Sequence, residues 1–245
     1  CYSLSGATYG VYSDKGCTKS VAILTTNANG NTDTVELRAA TYYVKETKAP
    51  KGFQLDKNVY TMTVKVNETT TLKVSDKPKV TDTLVELFKI DMEISKATPQ
   101  GNASLEGAEF VWKYYDGYYT KDNLPSEPTR TWTTKTIAEK DSNNEVHYIT
   151  RLADSYKVLG DSFYTQNGTI CLPLGTITVK EKTAPNGYLL EGAYMQAAGS
   201  SEQIKGVYVA QITEDGELAA LSGSNQYSVL DKVIRGGVKI QKRDL

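Results

Sequence analysis

The amino-acid sequence predicts an all-β fold, on three observations. Its 17 tyrosines far outnumber its 4 phenylalanines and 2 tryptophans, and tyrosine, threonine and valine suit pleated, half-exposed surfaces. No segment longer than about ten residues carries a persistent apolar stripe at helical spacing. Turn-type pairs at Asn29-Gly30, Asn167-Gly168 and Asp215-Gly216 separate strand-like runs. Short strands with frequent turns favour a β-sandwich over a parallel sheet.

One strand can be read directly from the alternation of side chains. Tyr60, Met62, Val64 and Val66 alternate with polar residues. A period of two is typical of a strand with one buried and one wet face. The sequence therefore predicts a half-buried strand in this segment.

Composition and charge exclude several classes of function. The chain has 245 residues, with 28 basic and 29 acidic side chains, so its net charge of −1 argues against nucleic acid as a partner. No run approaches the roughly 18 apolar residues of a membrane span. The single histidine, His147, argues against a histidine metal site, and we expect no metal or cofactor. Because no nucleophile elbow or convincing base is present, turnover on an external substrate is not expected either.

An internal repeat organises the chain. Leu4–Val11 resembles Leu105–Val111 through the shared block L-x-G-A, and Val44–Phe53 resembles Val179–Tyr188 through the block E-x-x-A-P-x-G. Both copies keep the same order of blocks. The two blocks are farther apart in the second copy, which therefore carries a long, polar, tyrosine-rich insertion. Two homologous domains are predicted.

Domain boundaries follow from the repeat and from one polar, proline-containing stretch at residues 77–82. We expect a first domain at residues 1–80 and a second at residues 81–235. Residues 236–245 are expected to begin a third, because Gly237–Asp244 resembles the strand-like run Leu84–Asp91.

Five charged residues fall on apolar faces when strands are counted with a period of two. They are Lys89, Glu181 and Asp231 in the second copy, and Glu46 and Asp76 in the first. Each ends a run of alternate apolar positions, such as Val85-x-Leu87-x-Lys89. A single inward charge could be explained by a strand end that frays into water. Because the same two carboxylates recur in both copies, this explanation does not suffice.

Two chemistries are open to such a cluster, since an unpaired buried charge is very costly. In the first, Lys89 and Asp231 form a buried salt bridge with Glu181 nearby. In the second, desolvation removes the proton from Lys89, whose amine then attacks the protonated carboxyl of Asp231. Glu181 would move the protons and help to expel water. The product would be an isopeptide amide.

At these residues both copies resemble the Cna B-type (SpaA-like) domains of Gram-positive surface proteins and pilins. The motifs that carry the resemblance are L-x-G-A-x-[Tyr/Phe] and E-x-x-A-P-x-G-[Tyr/Phe], each present twice and in order. The resemblance implies two tandem immunoglobulin-like (prealbumin-like) β-sandwich domains, the second with a long insertion. It also implies a spontaneous isopeptide bond between Lys89 and Asp231, assisted by Glu181.

The function implied is that of a structural stalk in an extracellular, cell-wall-attached adhesin or pilin-like protein. Its partners would be neighbouring domains of the same long protein. Self-cross-linking happens once per molecule, so the chain is not expected to be an enzyme.

The first copy departs from the family pattern. It has Glu46 and Asp76, but no lysine precedes its L-x-G-A block at Leu4. We therefore expect an incomplete site and no isopeptide bond within this domain of the chain, with the first strand lying upstream. An open sheet edge invites strand addition, and Val238–Lys242 of a neighbouring molecule is a candidate for it.

A rival hypothesis makes the second domain an adhesive module for a host glycan or protein. Aromatic residues in a long insertion are natural recognition residues, although packing in the core explains the same pattern. Whether Cys1 and Cys17 pair stays open. The candidate binding residues are Trp112, Tyr114, Tyr115, Tyr118, Tyr119 and Trp132.

Overall fold

The computed structural model describes residues 2–81, 85–166, 168–213 and 226–243. The regular elements in these ranges are all β-strands, which confirms the predicted fold class. The chain divides into two compact units, Cys1–Val80 and Thr81–Leu245. Cys1, Asn167 and the turn predicted at Asp215-Gly216 lie outside the described residues.

Unit 1 is built on one antiparallel sheet of four strands, in the order β2-β1-β3-β4. The alternation of apolar residues in β4 continues to Val64. A short strand, β5, follows at Val80–Thr81. The strands of the sheet are β1 (Thr8–Tyr12), β2 (Ser20–Thr25), β3 (Ala40–Lys48) and β4 (Val59–Val64).

One face of the unit 1 sheet forms a small core. Tyr9 and Val11 from β1 are buried beside Tyr42 and Val44 from β3. Residues 71–76 cover this core with an alternating pattern of exposed and half-buried side chains, but they belong to no described strand. Residues 77–79 are tied back by hydrogen bonds to residues 52–54.

Unit 2 contains the remaining strands and is larger. The strands are β6 (Glu86–Asp91), β7 (Glu109–Tyr115), β8 (Arg130–Lys135), β9 (Ile137–Lys140), β10 (Val146–Arg151), β11 (Lys157–Gly160), β12 (Thr165–Gln166), β13 (Thr169–Ile170), β14 (Leu172–Pro173), β15 (Gly175–Thr183), β16 (Tyr188–Ala197), β17 (Tyr208–Ile212) and β18 (Tyr227–Val233).

Two five-stranded sheets form the sandwich of unit 2. One has the order β16-β18-β6-β10-β9 and the other β11-β8-β7-β15-β17. Inward residues from both sheets share one apolar core, in which Leu87 on β6 and Ile177 on β15 are at most 1% exposed. Such alternation of inward apolar and outward polar residues is typical of a β-sandwich.

The predicted insertion widens this sandwich instead of forming a separate lobe. Strands β8 and β11 extend one sheet, while β9 and β10 extend the other. A buried polar chain links them: the Trp112 indole donates to the Thr134 hydroxyl at 2.8 Å, and the Thr150 hydroxyl donates to the same oxygen at 2.6 Å. The inserted strands therefore contribute to the core of the sandwich. Their polar side chains can be buried there because their hydrogen-bond donors are paired.

The first and last strands of unit 2 lie side by side and run parallel. Lys89 is in register with Val229, and Asp91 with Asp231. Beyond the ladder, the amide of Met92 donates to the carbonyl of Asp231 at 2.9 Å. This pairing brings residues that are far apart in sequence onto neighbouring positions of one sheet.

The segment after β18 packs against little of the chain. Val238 is 91% exposed and Ile240 is 88% exposed, and residues 234–243 contain no strand. The expectation that a third domain starts here stays a prediction. No helix long and apolar enough to span a membrane occurs in the part of the chain that is described.

Candidate functional site

Lys89 points into the core of unit 2 because of strand periodicity. On β6 the inward positions are Leu87, Lys89 and Asp91, and the lysine is 0% exposed. A buried ammonium has lost its hydration and is stable only beside partners of opposite charge. The position of Lys89 in the core is therefore stable only if groups of opposite charge or hydrogen-bond acceptors lie beside its amine.

Two carboxyl groups from different sheets meet the Lys89 amine. Glu181 reaches it from β15 in the facing sheet, with both carboxyl oxygens 2.9 Å from Nζ. Asp231 reaches it from the adjacent strand β18, with Oδ1 2.5 Å from Nζ. Asp231 is 0% exposed and Glu181 is 8% exposed. The structure thus brings together the three residues that the alternation pattern singled out.

Burial makes Glu181 a weak acid. Loss of hydration raises its pKa to about 8, and the nearby charge of Asp231 adds to the rise, whereas the Lys89 ammonium opposes it. At neutral pH this side chain is therefore mostly a neutral carboxylic acid. In that form its hydroxyl can donate a hydrogen bond, and it can give or take a proton at the site.

Asp231 forms an ion pair with Lys89 but has few hydrogen-bond donors around it. Neither of its buried oxygens accepts a hydrogen bond from a backbone amide or neutral donor among the described residues. Protonated Glu181 is the neighbouring group that can donate to it. A buried acceptor without a donor costs free energy, and formation of an amide would remove one of these two oxygens.

Asp91 contrasts with Asp231, although both lie in register on neighbouring strands. Its oxygens accept hydrogen bonds from the Tyr188 hydroxyl at 2.8 Å, from the Gln100 amide at 3.0 Å, and from the backbone amides of Glu93 and Ile94. Burial disfavours its charge, but these hydrogen bonds outweigh burial and hold the pKa of Asp91 below its ordinary value. Asp91 is thus a fixed anion that anchors the end of β6.

Sequence reasoning did not identify Asp91 and Tyr188 as parts of this site. Two signals were available: the aspartate lies two residues after Lys89, on the same face of the strand, and the tyrosine ends the E-x-x-A-P-x-G-Tyr block. The hydrogen bond between them joins the two motifs in space.

Unit 1 holds the corresponding carboxyls without a lysine. Glu46 is 1% exposed and its Oε2 accepts a hydrogen bond from the amide of Asp56 at 2.7 Å. Glu46 and Asp76 lie in direct contact, and burial raises the pKa of both. No lysine or arginine forms an ion pair with either one among the residues described. Because both pKa values are raised, the doubly charged form of this carboxyl pair is disfavoured.

The aromatic platform expected for ligand binding is not formed. Four of its six residues are buried in the core: Tyr115 is 5% exposed, and the other three at most 2%. Only Tyr118, which is 48% exposed, and Tyr119, which is half-buried, reach the surface. Strand β7 and the inner face of β8 require large apolar side chains, so packing explains these aromatics. The four core residues are Trp112, Tyr114, Tyr115 and Trp132.

One group of potential metal ligands lies on the β9–β10 hairpin. Ligand atoms of Asp141, Glu145 and His147 fall within 4.8 Å of one another. The Asp141 carboxylate already accepts backbone amides of the same turn, and it contacts the His147 ring at 3.2 Å. These contacts explain why the three side chains lie close together: they stabilise the turn.

Comparison with known proteins agrees with this fold. Residues 2–78 match the SpaA prealbumin-like fold domain family, which confirms the family resemblance for unit 1. The chain is similar to the trypsin-resistant surface T6 protein of Streptococcus pyogenes serotype M6, at 40% identity over 88 residues, or 32% of this chain. That match spans 16% of the relative's length.

The solved structures that resemble this chain include a fragment of a pilus adhesin. The C-terminal fragment of the pilus adhesin SpaC from Lactobacillus rhamnosus GG has a TM-score of 0.51 at 16% identity, over 96% of this chain and 91% of that one. The Bacillus anthracis TIE protein has a TM-score of 0.46 at 24% identity, over 95% of this chain and 32% of that one. At this identity the SpaC fragment indicates a shared fold.

The anchor at Asp91 leads to a stability prediction. Replacing Asp91 by Ala leaves the Tyr188 hydroxyl and two backbone amides without their acceptor, so the free energy of unfolding should fall by about 3 kcal/mol. Urea unfolding measures it. The matched control is Glu93→Ala, which removes an exposed carboxylate two residues away and should change little.

The same anchor gives a pH dependence of known sign. Because the folded-state pKa of Asp91 is lowered, its contribution is present above the unfolded pKa and is lost as the pH falls through the folded pKa. The stability difference between wild type and Asp91→Asn should therefore shrink on acidification. A difference that stays constant into the acid range would contradict the assignment of Asp91 as an anion.

Proposed function

We propose that this chain is a structural stalk segment of a Gram-positive cell-surface adhesin or pilin-like protein, whose second unit closes itself with a Lys89–Asp231 isopeptide bond. The observation that carries the proposal is the Lys89 amine, fully buried between the carboxyls of Glu181 and Asp231. A buried salt bridge would be a weak source of stability here. An amide removes both charges from the core.

The reaction needs only the three side chains. A proton passes from the Lys89 ammonium to the Asp231 carboxylate, which low polarity favours because two charges become none. The Lys89 nitrogen then attacks Cγ of Asp231. Protonated Glu181 gives its proton to the departing hydroxyl and takes one from that nitrogen in its place. The C–N bond forms, the C–O bond breaks, and one water leaves.

This chemistry is self-modification with a single turnover, so we do not assign an enzyme activity. Glu181 returns to its starting protonation state, but Lys89 and Asp231 are consumed. No cofactor enters the reaction scheme, because the general acid and base are the same carboxyl group.

A mechanical role follows from where the bond would lie. Pulling on the two ends of unit 2 loads β6 at its start and β18 at its end, and these parallel neighbours would slide past each other. Their hydrogen bonds would then be sheared together. A bond between Lys89 and Asp231 spans these two strands, so tension would pass through covalent bonds and bypass residues 90–230.

The comparisons support the setting of this proposal. The relative from Streptococcus pyogenes is described as a surface protein, and the SpaC fragment, which shares the fold, comes from a pilus adhesin. We extend to this chain an extracellular, cell-wall-attached location and neighbouring domains of one long protein as its partners. The adhesive alternative is less well supported, because four of its six candidate binding aromatics are buried in the core.

Intact-mass spectrometry tests the bond. The wild-type chain should be about 18 Da lighter than its calculated mass, the loss of one water on acyl transfer. Lys89→Ala should have its full calculated mass. Lys180→Ala, which removes an exposed lysine beside Glu181, is the matched control and should keep the deficit. A wild-type chain with its full calculated mass would contradict the bond and would show that the three side chains form only an ion-pair cluster.

The role of Glu181 gives a kinetic prediction. Chain recovered unfolded and unreacted from inclusion bodies should lose water after refolding, and Glu181→Gln should slow this loss by at least about a hundredfold, because an amide cannot move the proton. The wild-type rate should fall as the pH rises above about 8, where Glu181 loses its proton. A rate that increases steadily through this range would contradict its role as proton donor.

A further inference from the structure

Two aspartates lie on the face of unit 2 that holds the Lys89 amine. Asp91 follows Lys89 by two residues on β6, so both side chains point into the core. Asp231 lies opposite Asp91, in register on the neighbouring strand β18. Both aspartates are 0% exposed, and their carboxyl groups are chemically identical. A reactive lysine at this position therefore has two possible acceptors within its own sheet.

Hydrogen bonding distinguishes the two acceptors. Oδ1 of Asp91 accepts two backbone amides, at 2.8 and 3.1 Å. Oδ2 accepts the Tyr188 hydroxyl at 2.8 Å and the Gln100 amide at 3.0 Å. Asp231 has no donor of these kinds among the described residues. Its Oδ1 lies 2.5 Å from the Lys89 amine instead.

The protonation state of a carboxyl group decides whether an amine can attack it. A carboxylate repels the electron pair of nitrogen and has no hydroxyl to release, whereas a carboxylic acid can lose water. Hydrogen bonds donated to a carboxylate favour its charged form. Burial acts to raise the pKa of Asp91, but its hydrogen bonds outweigh burial and hold the pKa below its ordinary value. Asp91 is therefore kept in the unreactive form.

Both side-chain donors to Asp91 are fixed in the donating orientation. The carbonyl oxygen of Gln100 accepts a hydrogen bond from the Arg235 guanidinium at 3.0 Å, so its NH2 group faces Asp91. Tyr188 is 4% exposed, and burial and the hydrogen bond to Asp91 raise the pKa of its hydroxyl, which stays protonated. Tyr188 also ends the sequence block that begins with Glu181. One motif thus contains both the proton carrier of the proposed reaction and a donor to Asp91.

We propose that Tyr188 and Gln100 are specificity-determining residues of the cross-linking reaction: by donating to Asp91 they keep it a carboxylate, so that the Lys89 amine couples to Asp231 alone. The inference rests on the isopeptide bond proposed for unit 2. The two residues act through Asp91, which takes no part in the bond itself.

The product that these donors exclude would have the same mass as the correct one. If Asp91 were protonated, the Lys89 nitrogen could attack its Cγ. A C–N bond would form, a C–O bond would break, and a proton from nitrogen would leave with the hydroxyl as one water. That amide would close a small ring within residues 89–91 and leave β18 without a covalent link to β6. The choice of acceptor therefore decides whether the bond carries load between the two strands.

Peptide mapping by tandem mass spectrometry distinguishes the two products. After digestion, a Lys89–Asp231 link joins two separate peptides, whereas a Lys89–Asp91 link stays within one peptide. Wild type should give almost only the branched pair. In the double variant Tyr188→Phe, Gln100→Leu, the ratio of the internal link to the branched link should rise at least about tenfold, because each lost hydrogen bond to a charged acceptor makes protonation of Asp91 easier.

A rescue variant separates the selection of the acceptor from a loss of packing. The double variant should have a lower share of chains with the Lys89–Asp231 link. Adding Asp91→Ala removes the competing acceptor, and this share should then return to that of wild type. A share that stays low would show that the substitutions only disturb the fold, and it would overturn the inference. The matched control is Tyr194→Phe, which removes another hydroxyl from β16 and should leave the link as in wild type.

The outcomes distinguish this inference from the bond on which it rests. A wild-type chain of full calculated mass would contradict the bond of unit 2, and the inference with it. A wild type with the branched link, and a double variant that forms the same link to the same extent, would overturn the role of Tyr188 and Gln100 alone. If the double variant does not fold, Gln100→Leu changes only a half-buried side chain and should give a smaller rise of the same ratio. No rise in that variant would equally overturn the inference.

Discussion

The burial of one lysine amine is the constraint on which the structure of unit 2 depends. An ammonium without water needs an opposite charge and further polar partners, and here these partners come from both layers of the sandwich. Asp231 on the adjacent strand and Glu181 on the facing sheet each contact Lys89 Nζ. The first strand, the last strand and the opposite sheet are therefore tied at one point. The proposed amide would replace these charges by a neutral bond, which would remove the electrostatic cost and make the tie permanent.

The rest of the sandwich positions this point. Asp91, held by Tyr188 and Gln100, anchors the end of β6 where it leaves the sheet. Its hydrogen bonds hold its pKa below the ordinary value, whereas Asp231 beside it has no such donors among the described residues. The insertion adds β8 and β11 to one sheet, and β10 and β9 to the other, where β10 pairs with β6 on the side away from β18. The parallel pairing of β6 with β18 is kept beside this large sequence change.

Much of this arrangement could be predicted from residue order. A period of two places Lys89, Glu181 and Asp231 on apolar faces, and all three prove to be buried. Their mutual contact could not be derived from the period alone, because it depends on which sheets face each other. The aromatics of β7 and β8 left two interpretations open for a related reason: their alternation is compatible with a surface or a core, and only the position of the second sheet decides between them. The Asp91–Tyr188 hydrogen bond joins distant motifs, and no local pattern contains it.

Force spectroscopy tests the central claim most directly, because it measures whether the proposed bond carries the load. Lys89 and Asp231 are 142 positions apart, so the enclosed chain would release about 500 Å of contour length if it unfolded under tension. A wild-type molecule pulled from both ends should show no such step for unit 2. Lys89→Ala should show it. A step of this length in wild type would contradict a covalent link between the first and last strands.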